Sequence, residues 1–114
     1  MNKEDLDQAT RERAAELFSA MSHPVRLRIV EELCRQPRSV GEVASEMGIG
    51  LSGASQHLSI LGRAGVVVAE PHGTTRVYRI RGPRIPRILD LIFEFCHVHQ
   101  LYGEPSEVEN STNA

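Results

Sequence analysis

Two helical patterns joined by a short glycine-containing break, with a hairpin pattern directly after them, constrain this sequence most. The helical patterns cover 40–47 and 51–64, and Gly48-Ile49-Gly50 lies between them. Gly48 suits the end of a helix because glycine tolerates a positive φ. Residues 66–70 and 75–80 are rich in β-branched side chains, and turn-forming residues separate them. This stretch predicts two packed helices followed by a two-stranded ribbon that turns at His72-Gly73.

Three further helices flank this segment. Apolar residues at helical spacing predict helices over 4–21, 24–35 and 84–102. We expect a single domain over 1–102 and a disordered acidic tail over 103–114, where the sequence turns polar.

Helix-capping signals support these boundaries. Ser22 or His23 can cap the second helix, and Pro24 suits its first position because no N–H is needed there. Ser39 and Glu42 match the capping box, in which two side chains satisfy two backbone N–H groups reciprocally at a helix start.

The order of elements predicts a fold class. Four helices, a two-stranded ribbon and a fifth helix make a mainly α fold with a small β-ribbon, the winged helix-turn-helix. In this fold the second helix of the helix-turn-helix pair presents its side chains to the major groove of DNA.

The distribution of charge agrees with a nucleic-acid partner although the net charge does not. The whole chain carries −2. Ten arginines against five acidic residues lie between His23 and Arg87, and acidic residues dominate both flanks. Phosphate contacts need only local positive charge. An arginine-rich surface on an ordinary domain is the alternative explanation.

The composition also narrows the compartment and the class of protein. No apolar run approaches the ~20 residues that span a bilayer, and the acidic start of the chain is unlike a secretory signal. We therefore expect a cytoplasmic protein with no membrane partner. No set of nucleophile and base, phosphate loop or carboxylate pair can be assembled, so we expect no enzyme.

The fourth helix divides into an apolar and a polar face. Leu51, Ala54, Leu58 and Leu61 fall on the face predicted to pack inward, and Gly62 lies at the edge of that face. The predicted DNA contacts on the outward face are Ser52, Ser55, Gln56, Ser59 and Arg63. Gln pairs bidentately with adenine, and Ser reaches base edges or phosphates. A polar surface helix is the alternative.

Three positions near the fourth helix and the ribbon extend the predicted set. His57 lies near the outward edge and is predicted to contact a phosphate, although packing or capping is an equal alternative. Arg76 and Arg79 point to opposite faces of a regular strand because they lie an odd number of residues apart. We therefore predict that Arg76 faces DNA and Arg79 lies along the domain.

The ribbon tip and the start of the third helix complete the set. His72 and Thr74 are predicted to contact phosphate or the minor groove from the tip, together with Arg76. Arg38, directly before the third helix, is also included among the predicted DNA contacts.

Several segments together resemble the ArsR/SmtB family of small bacterial homodimeric winged-helix repressors. The resemblance covers roughly residues 14 to 100, and these segments carry it: Met21-Ser22-His23-Pro24-Val25-Arg26-Leu27-Arg28-Ile29, Ser39-Val40-Gly41-Glu42-Val43-Ala44, Ser55-Gln56-His57-Leu58, Leu61-Gly62-Arg63-Ala64-Gly65-Val66-Val67 and Val77-Tyr78-Arg79-Ile80. It implies a dimer formed by the first and last helices, two recognition helices set for a palindromic operator, and release of DNA by an inducer. Gly50 replaces a capping Ser of many relatives, and glycine is an acceptable cap.

The metal sites of some relatives are poorly matched here. Ser39, Val40 and Gly41 occupy the region where those relatives carry thiolate ligands, and they supply no soft donors. Gly82 and Arg84 stand where other relatives need hard ligands on the dimer helix. We therefore expect no resident metal or other cofactor.

The sequence offers two candidate inducer sites. Cys34 and Cys96 resemble the paired cysteines of the persulfide-responsive branch of the family, and a bridge between them needs Cα atoms within ~7 Å. Alternatively, Cys96, His97 and His99 bind a metal such as zinc, nickel or copper. The plain alternative is that both cysteines are apolar filler and both histidines are solvated.

These patterns predict a sequence-specific DNA-binding repressor that binds a double-stranded operator as a homodimer. We expect an inducer to release it, through thiol modification of Cys34 and Cys96 or through a metal. A winged-helix module that binds protein instead of DNA is the alternative from another functional class.

Overall fold

The structure, a computed structural model, describes the backbone of residues 7–101 and the side chains of residues 7–97. The predicted first turn over 4–6, the predicted helix end at Tyr102 and the predicted tail over 103–114 lie outside the described residues. The elements are α1 (Gln8–Met21), α2 (Pro24–Arg35), β1 (Arg38–Ser39), α3 (Val40–Met47), α4 (Leu51–Arg63), β2 (Val67–His72), β3 (Thr75–Ile80) and α5 (Arg84–Leu101). The predicted helices and ribbon are present over the described range, with two differences. Asp7 caps α1 instead of lying inside it, and β2 continues through Pro71 and His72, so that the hairpin turns at Gly73-Thr74 rather than at His72-Gly73.

The chain forms two compact units. The first runs to Gly82 and holds α1 to β3, and the second begins at Pro83 and holds α5. Among the described residues, no helix is long and apolar enough to cross a membrane.

α2 and α3 begin at the predicted capping signals. The His23 ring accepts the Val25 N–H at the start of α2, and Pro24 is the first helical residue. At α3, the Ser39 hydroxyl accepts the Glu42 N–H at 3.1 Å, and the Glu42 carboxylate accepts the Ser39 N–H at 2.8 Å. The Ser39 N–H holds the pKa of Glu42 below its usual range.

Two further helix ends depend on local chemistry. The Asp7 carboxylate accepts the Thr10 N–H at 2.8 Å and caps α1, and this bond lowers the pKa of Asp7. Gly48 ends α3 with a φ of +67°, a left-handed conformation that a side chain would strain.

The sheet has one strand more than the predicted ribbon. β2 and β3 pair antiparallel around a two-residue loop, Gly73-Thr74, in which Gly73 has a φ of +64°. Glycine with positive φ at the first loop position is typical of a type II′ hairpin. β1 pairs with the other edge of β3, so the strand order is β1-β3-β2. A strand of two residues is too short to show a sequence pattern.

The core of the first unit lies between α2, α3, α4 and the sheet. The residues buried there are Ala20, Met21, Ile29, Val30, Leu33, Val43, Ala44, Ala54, Leu58, Leu61, Val66, Val67 and Tyr78. In the second unit Leu89 is buried. Because α4 contributes three fully buried side chains, its rotation about its own axis is set by the core.

The predicted inward face of α4 needs one correction. Ala54, Leu58 and Leu61 are buried as predicted, whereas Leu51 is 61% exposed. A helix advances about 100° per residue, which puts Leu51 about 60° from Ala54 but only about 40° from Ser55. Leu51 therefore lies on the border of the exposed face.

Candidate nucleic-acid interface

The polar face of α4 is exposed along its whole length. Ser52, Ser55, Gln56, Ser59 and Arg63 are all exposed, while the opposite side of the same helix is completely buried. α4 therefore combines a fixed apolar side with a protruding polar side, as the sequence predicts.

The hairpin and α4 border a common groove. This groove has a volume of about 340 Å³, and its lining includes Ser55, Ser59 and Arg63 from α4 and Arg76 from β3. The structure thus brings the predicted helix contacts together with the predicted ribbon contact. Two guanidinium groups and two hydroxyl groups converge on one surface, and all four residues are exposed.

Arg79 differs from Arg76 in its surroundings. Its guanidinium Nε lies 3.1 Å from Glu70 Oε2 on the neighbouring strand, and its Nη1 donates to the Ile80 carbonyl. Arg76 is exposed and borders the groove instead. The two arginines therefore differ in their surroundings as predicted, and the contact of Arg76 with DNA stays a prediction.

The hairpin tip is open to solvent. His72 ends β2 and Thr74 lies in the turn, and both side chains are exposed. Their contact with DNA stays a prediction.

Arg38 is engaged within the domain. Its guanidinium lies 3.5 Å from a Glu32 oxygen on α2 and 3.6 Å from a Glu46 oxygen on α3, and its side chain is 18% exposed. This placement corrects its inclusion among outward-facing contacts. The sequence could not predict that Arg38 pairs with both glutamates, because nothing in it places Glu32 beside Glu46.

His57 also contacts the domain rather than the open face. Its Nδ1 lies 3.2 Å from Arg26 Nη1, and its ring meets the His23 ring at a centroid distance of 4.9 Å. Burial, followed by the charges of His23 and Arg26, lowers the pKa of His57. Helical periodicity could have predicted this placement. His57 follows Ser55 by two residues, which puts it about 160° around the helix from Ser55.

The chain is similar to known transcriptional regulators. Residues 21–69 match the family model described as a helix-turn-helix domain. The HTH-type transcriptional regulator Rv0081 of Mycobacterium tuberculosis is 45% identical over 76 residues, which cover 66% of this chain and 67% of that protein. The biofilm growth-associated repressor of Xylella fastidiosa is 32% identical over 84% of both chains.

A solved structure agrees with these relatives. The homodimeric winged helix-turn-helix domain of Mb0332 from Mycobacterium bovis, a possible ArsR-family regulator, has a TM-score of 0.80 and 28% identity. The match covers 91% of this chain and 96% of that one. The chain belongs to the ArsR/SmtB family of transcriptional regulators.

Membership of the ArsR/SmtB family confirms two predictions. The winged helix-turn-helix fold is shared with the solved relative. The matched relatives are named as transcriptional regulators or repressors rather than as enzymes, so this chain is a regulator and not an enzyme.

The candidate inducer residues of this ArsR/SmtB chain differ in exposure. Cys34 on α2 is half-buried, and Cys96 and His97 on α5 are exposed. The side chain of His99 lies outside the described residues. Within residues 7–97, no group of three or more His, Cys, Asp or Glu side chains is arranged to hold a metal ion.

Proposed function

We propose that this protein is a sequence-specific transcriptional repressor that inserts α4 into the major groove of an operator. The observation that carries the proposal is the groove shared by α4 and the hairpin, where Ser55, Ser59, Arg63 and Arg76 are exposed together. A recognition helix and a wing act on one duplex only when both face the same side.

The chemistry of this surface supports separate roles. Gln56 is exposed in the first two turns of α4, and its amide can donate to and accept from adenine at once. The N-terminal part of a recognition helix is the part that contacts base edges. Arg63 and Arg76 are assigned to the phosphate backbone, which positions the domain without reading sequence.

Ion pairing inside the domain leaves positive charge on this surface. Arg35, Arg38 and Arg79 pair with glutamates among the described residues. Arg63 and Arg76 are exposed and border the groove. Arg63 and Arg76 therefore contribute positive charge to the surface proposed to meet DNA, where release of counterions strengthens binding.

We propose that the repressor acts as a homodimer on a palindromic operator. Phe18 on α1 is 66% exposed, and on α5 Leu91 is 68% and Phe95 is 61% exposed. Large apolar side chains open to water in one chain fit a surface that a second copy covers. A two-fold dimer presents two copies of α4, and an operator with matching symmetry follows from that.

Footprinting on the DNA upstream of the protein's own gene tests the proposal. We expect one protected, symmetric site whose affinity falls steeply with salt and exceeds the affinity for random duplex. The matched variants are Gln56→Ala on the proposed face and Gln36→Ala at an exposed position outside it. Equal affinity for every duplex would contradict a sequence-specific repressor, and no affinity for any duplex would favour the protein-binding module instead.

For the inducer we propose thiol modification of Cys34 and Cys96. The support is the family resemblance of the pair, together with the exposure of Cys96 on α5. A persulfide converts two thiols into a disulfide and leaves as a thiol and hydrogen sulfide. Hydrogen peroxide forms the same disulfide and leaves two waters. Such a dithiol belongs to a reducing cytoplasm, which is where we assign the protein.

Mass spectrometry and operator binding test the inducer together. Wild-type protein treated with a persulfide or with hydrogen peroxide should lose two hydrogens and release the operator. The Cys96→Ser variant should bind the operator but should not release it after the same treatment. An unchanged response in Cys96→Ser would eliminate the dithiol. Release by zinc or nickel that disappears in His97→Ala and His99→Ala would favour the metal site instead.

A further inference from the structure

Three basic side chains meet behind the recognition helix. Arg26 on α2 donates through Nε to the Ala20 carbonyl at the end of α1 and through Nη1 to His57 Nδ1 on α4. The His57 ring lies against His23, which caps α2. One guanidinium thus connects α1, α2 and α4, and its contact on α4 is the residue next to Gln56.

The contact fixes the protonation of His57. A guanidinium has only donors, so Nδ1 of His57 accepts the hydrogen bond and carries no proton. A neutral ring then holds its single proton on Nε2. If the ring took a second proton, Nδ1 would become a donor facing the donors of Arg26, and two positive charges would lie within 3.2 Å.

The carboxylates on elements packed against α4 do not relieve this clash. The charges that act on His57 are those of His23 and Arg26, and both lower its pKa, after the larger effect of burial. The acids on these elements have other partners or do not act on His57. Glu12 accepts from Gln8, Glu16 lies beside Ile60 and Arg63, Glu32 pairs with Arg35 and Arg38, Glu42 caps α3, Glu46 pairs with Arg38, Glu70 pairs with Arg79, and Glu31 on α2 is not among the charges that act on His57. His72 lies exposed at the hairpin tip.

We propose that His57 and Arg26 are positioning residues that hold α4 in its DNA-binding orientation only while the His57 ring is neutral, so that acidification releases the operator. The inference rests on the proposed function, because it concerns the orientation of the same recognition helix. Protonation ends the Arg26 bond and repels the ring from α2, and Ser55 and Gln56 move with the helix that carries it.

The sign of the pH effect separates this role from a phosphate contact. A histidine that touches phosphate gains a charge in acid and strengthens DNA binding. A histidine that must stay neutral to hold the helix weakens specific binding in acid. The ordinary histidine pKa is about 6.5, so the loss should develop as the pH falls below that value.

Operator affinity at constant ionic strength, measured at pH 7.5 and pH 5.5, tests the proposal. We expect the wild-type affinity for operator to fall on the order of tenfold, since one unit of pKa difference between bound and free states corresponds to a factor of ten. His57→Gln keeps a hydrogen-bond acceptor that cannot titrate. The ratio of its operator affinities at the two pH values should therefore stay near one. Gln36→Ala, at an exposed position outside the proposed DNA-binding face, should show the same pH response as the wild type.

A second variant and an NMR spectrum test the Arg26–His57 contact directly. Arg26→Met removes the donor and its charge, and it should weaken operator binding at pH 7.5 and reduce the pH response. Nitrogen-15 spectra of the wild type should show an unprotonated Nδ1 on His57 at pH 7.5. Circular dichroism at both pH values verifies that each variant is folded.

The outcomes separate this inference from the proposed function. An affinity that rises in acid, a protonated Nδ1 at pH 7.5, or an equal fall in His57→Gln would overturn the positioning role. Absence of specific binding at pH 7.5 in the wild type would instead overturn the repressor itself.

Discussion

The helix-turn-helix segment and the terminal helices use similar apolar residues in different ways. α2, α3 and α4 bury most of theirs within the chain, apart from the exposed Leu51, and Ile29, Val43 and Leu58 are almost completely inaccessible. α1 and α5 leave Phe18, Leu91 and Phe95 more than half exposed. The first region is complete in one chain, whereas the surfaces of the terminal helices fit a partner.

The energetic consequence differs between the two regions. Burial of a large apolar side chain contributes about 1.5–3 kcal/mol relative to exposure. In α2 to α4 this free energy stabilises the folded chain itself. The exposed Phe18, Leu91 and Phe95 on α1 and α5 gain it only when a second copy covers them, so that contribution depends on protein concentration.

The largest expected effect comes from polar substitutions on the terminal helices. Phe18→Gln with Leu91→Gln should give a monomer and lower operator affinity by on the order of a hundredfold, because two linked recognition helices bind more tightly than one. Analytical ultracentrifugation and operator titration measure both. Glu12→Gln with Glu94→Gln places the same residue at exposed positions of the same helices. A dimeric Phe18/Leu91 variant would remove the distinction between the two regions.

Truncation inside the helix-turn-helix should act on the fold alone. Leu58→Ala removes a completely buried side chain and should lower the free energy of unfolding by about 2–5 kcal/mol. Because this core lies within one chain, the loss should persist in the monomeric background. Denaturant unfolding of both backgrounds measures it. Leu51→Ala is the matched control on the same helix, and its largely exposed side chain should cost much less.

The outward face of α4 should contribute to binding but not to folding. Gln56→Ala should weaken operator binding by about 1–3 kcal/mol and relax the preference at one base position. The unfolding midpoint should stay constant because Gln56 is exposed. Binding to a set of operators with single base changes measures the effect, with Gln36→Ala as control. A uniform loss across all operators would assign Gln56 to the backbone rather than to a base.

The smallest expected effect concerns the start of α3. Ser39→Ala removes one half of the capping box and should lower the free energy of unfolding by about 1 kcal/mol. Ser45→Ala, at an exposed position of the same helix, should change it little. Thermal unfolding distinguishes the two variants, and equal midpoints would mean that β1 pairing rather than the cap holds this helix end.

Local chemistry made much of this protein predictable. Helix ends at His23-Pro24, Ser39 and Gly48 follow from capping and backbone conformation, which involve neighbours in sequence. The opposite directions of Arg76 and Arg79 follow from strand periodicity alone. Such features depend on residues that are close together in sequence, so they can be predicted from the sequence alone.

Other features required the folded chain. β1, the pairing of Arg38 with Glu32 and Glu46, and the contact of His57 with Arg26 join residues that are far apart in sequence or lie on different elements. Side-chain type predicts that an arginine or histidine will find a polar partner, but it does not say which one. The sequence by itself therefore determined the helices, the hairpin and the polar face of α4. The tertiary structure decided which basic groups face outward and which are used within the domain, because that choice depends on packing between elements.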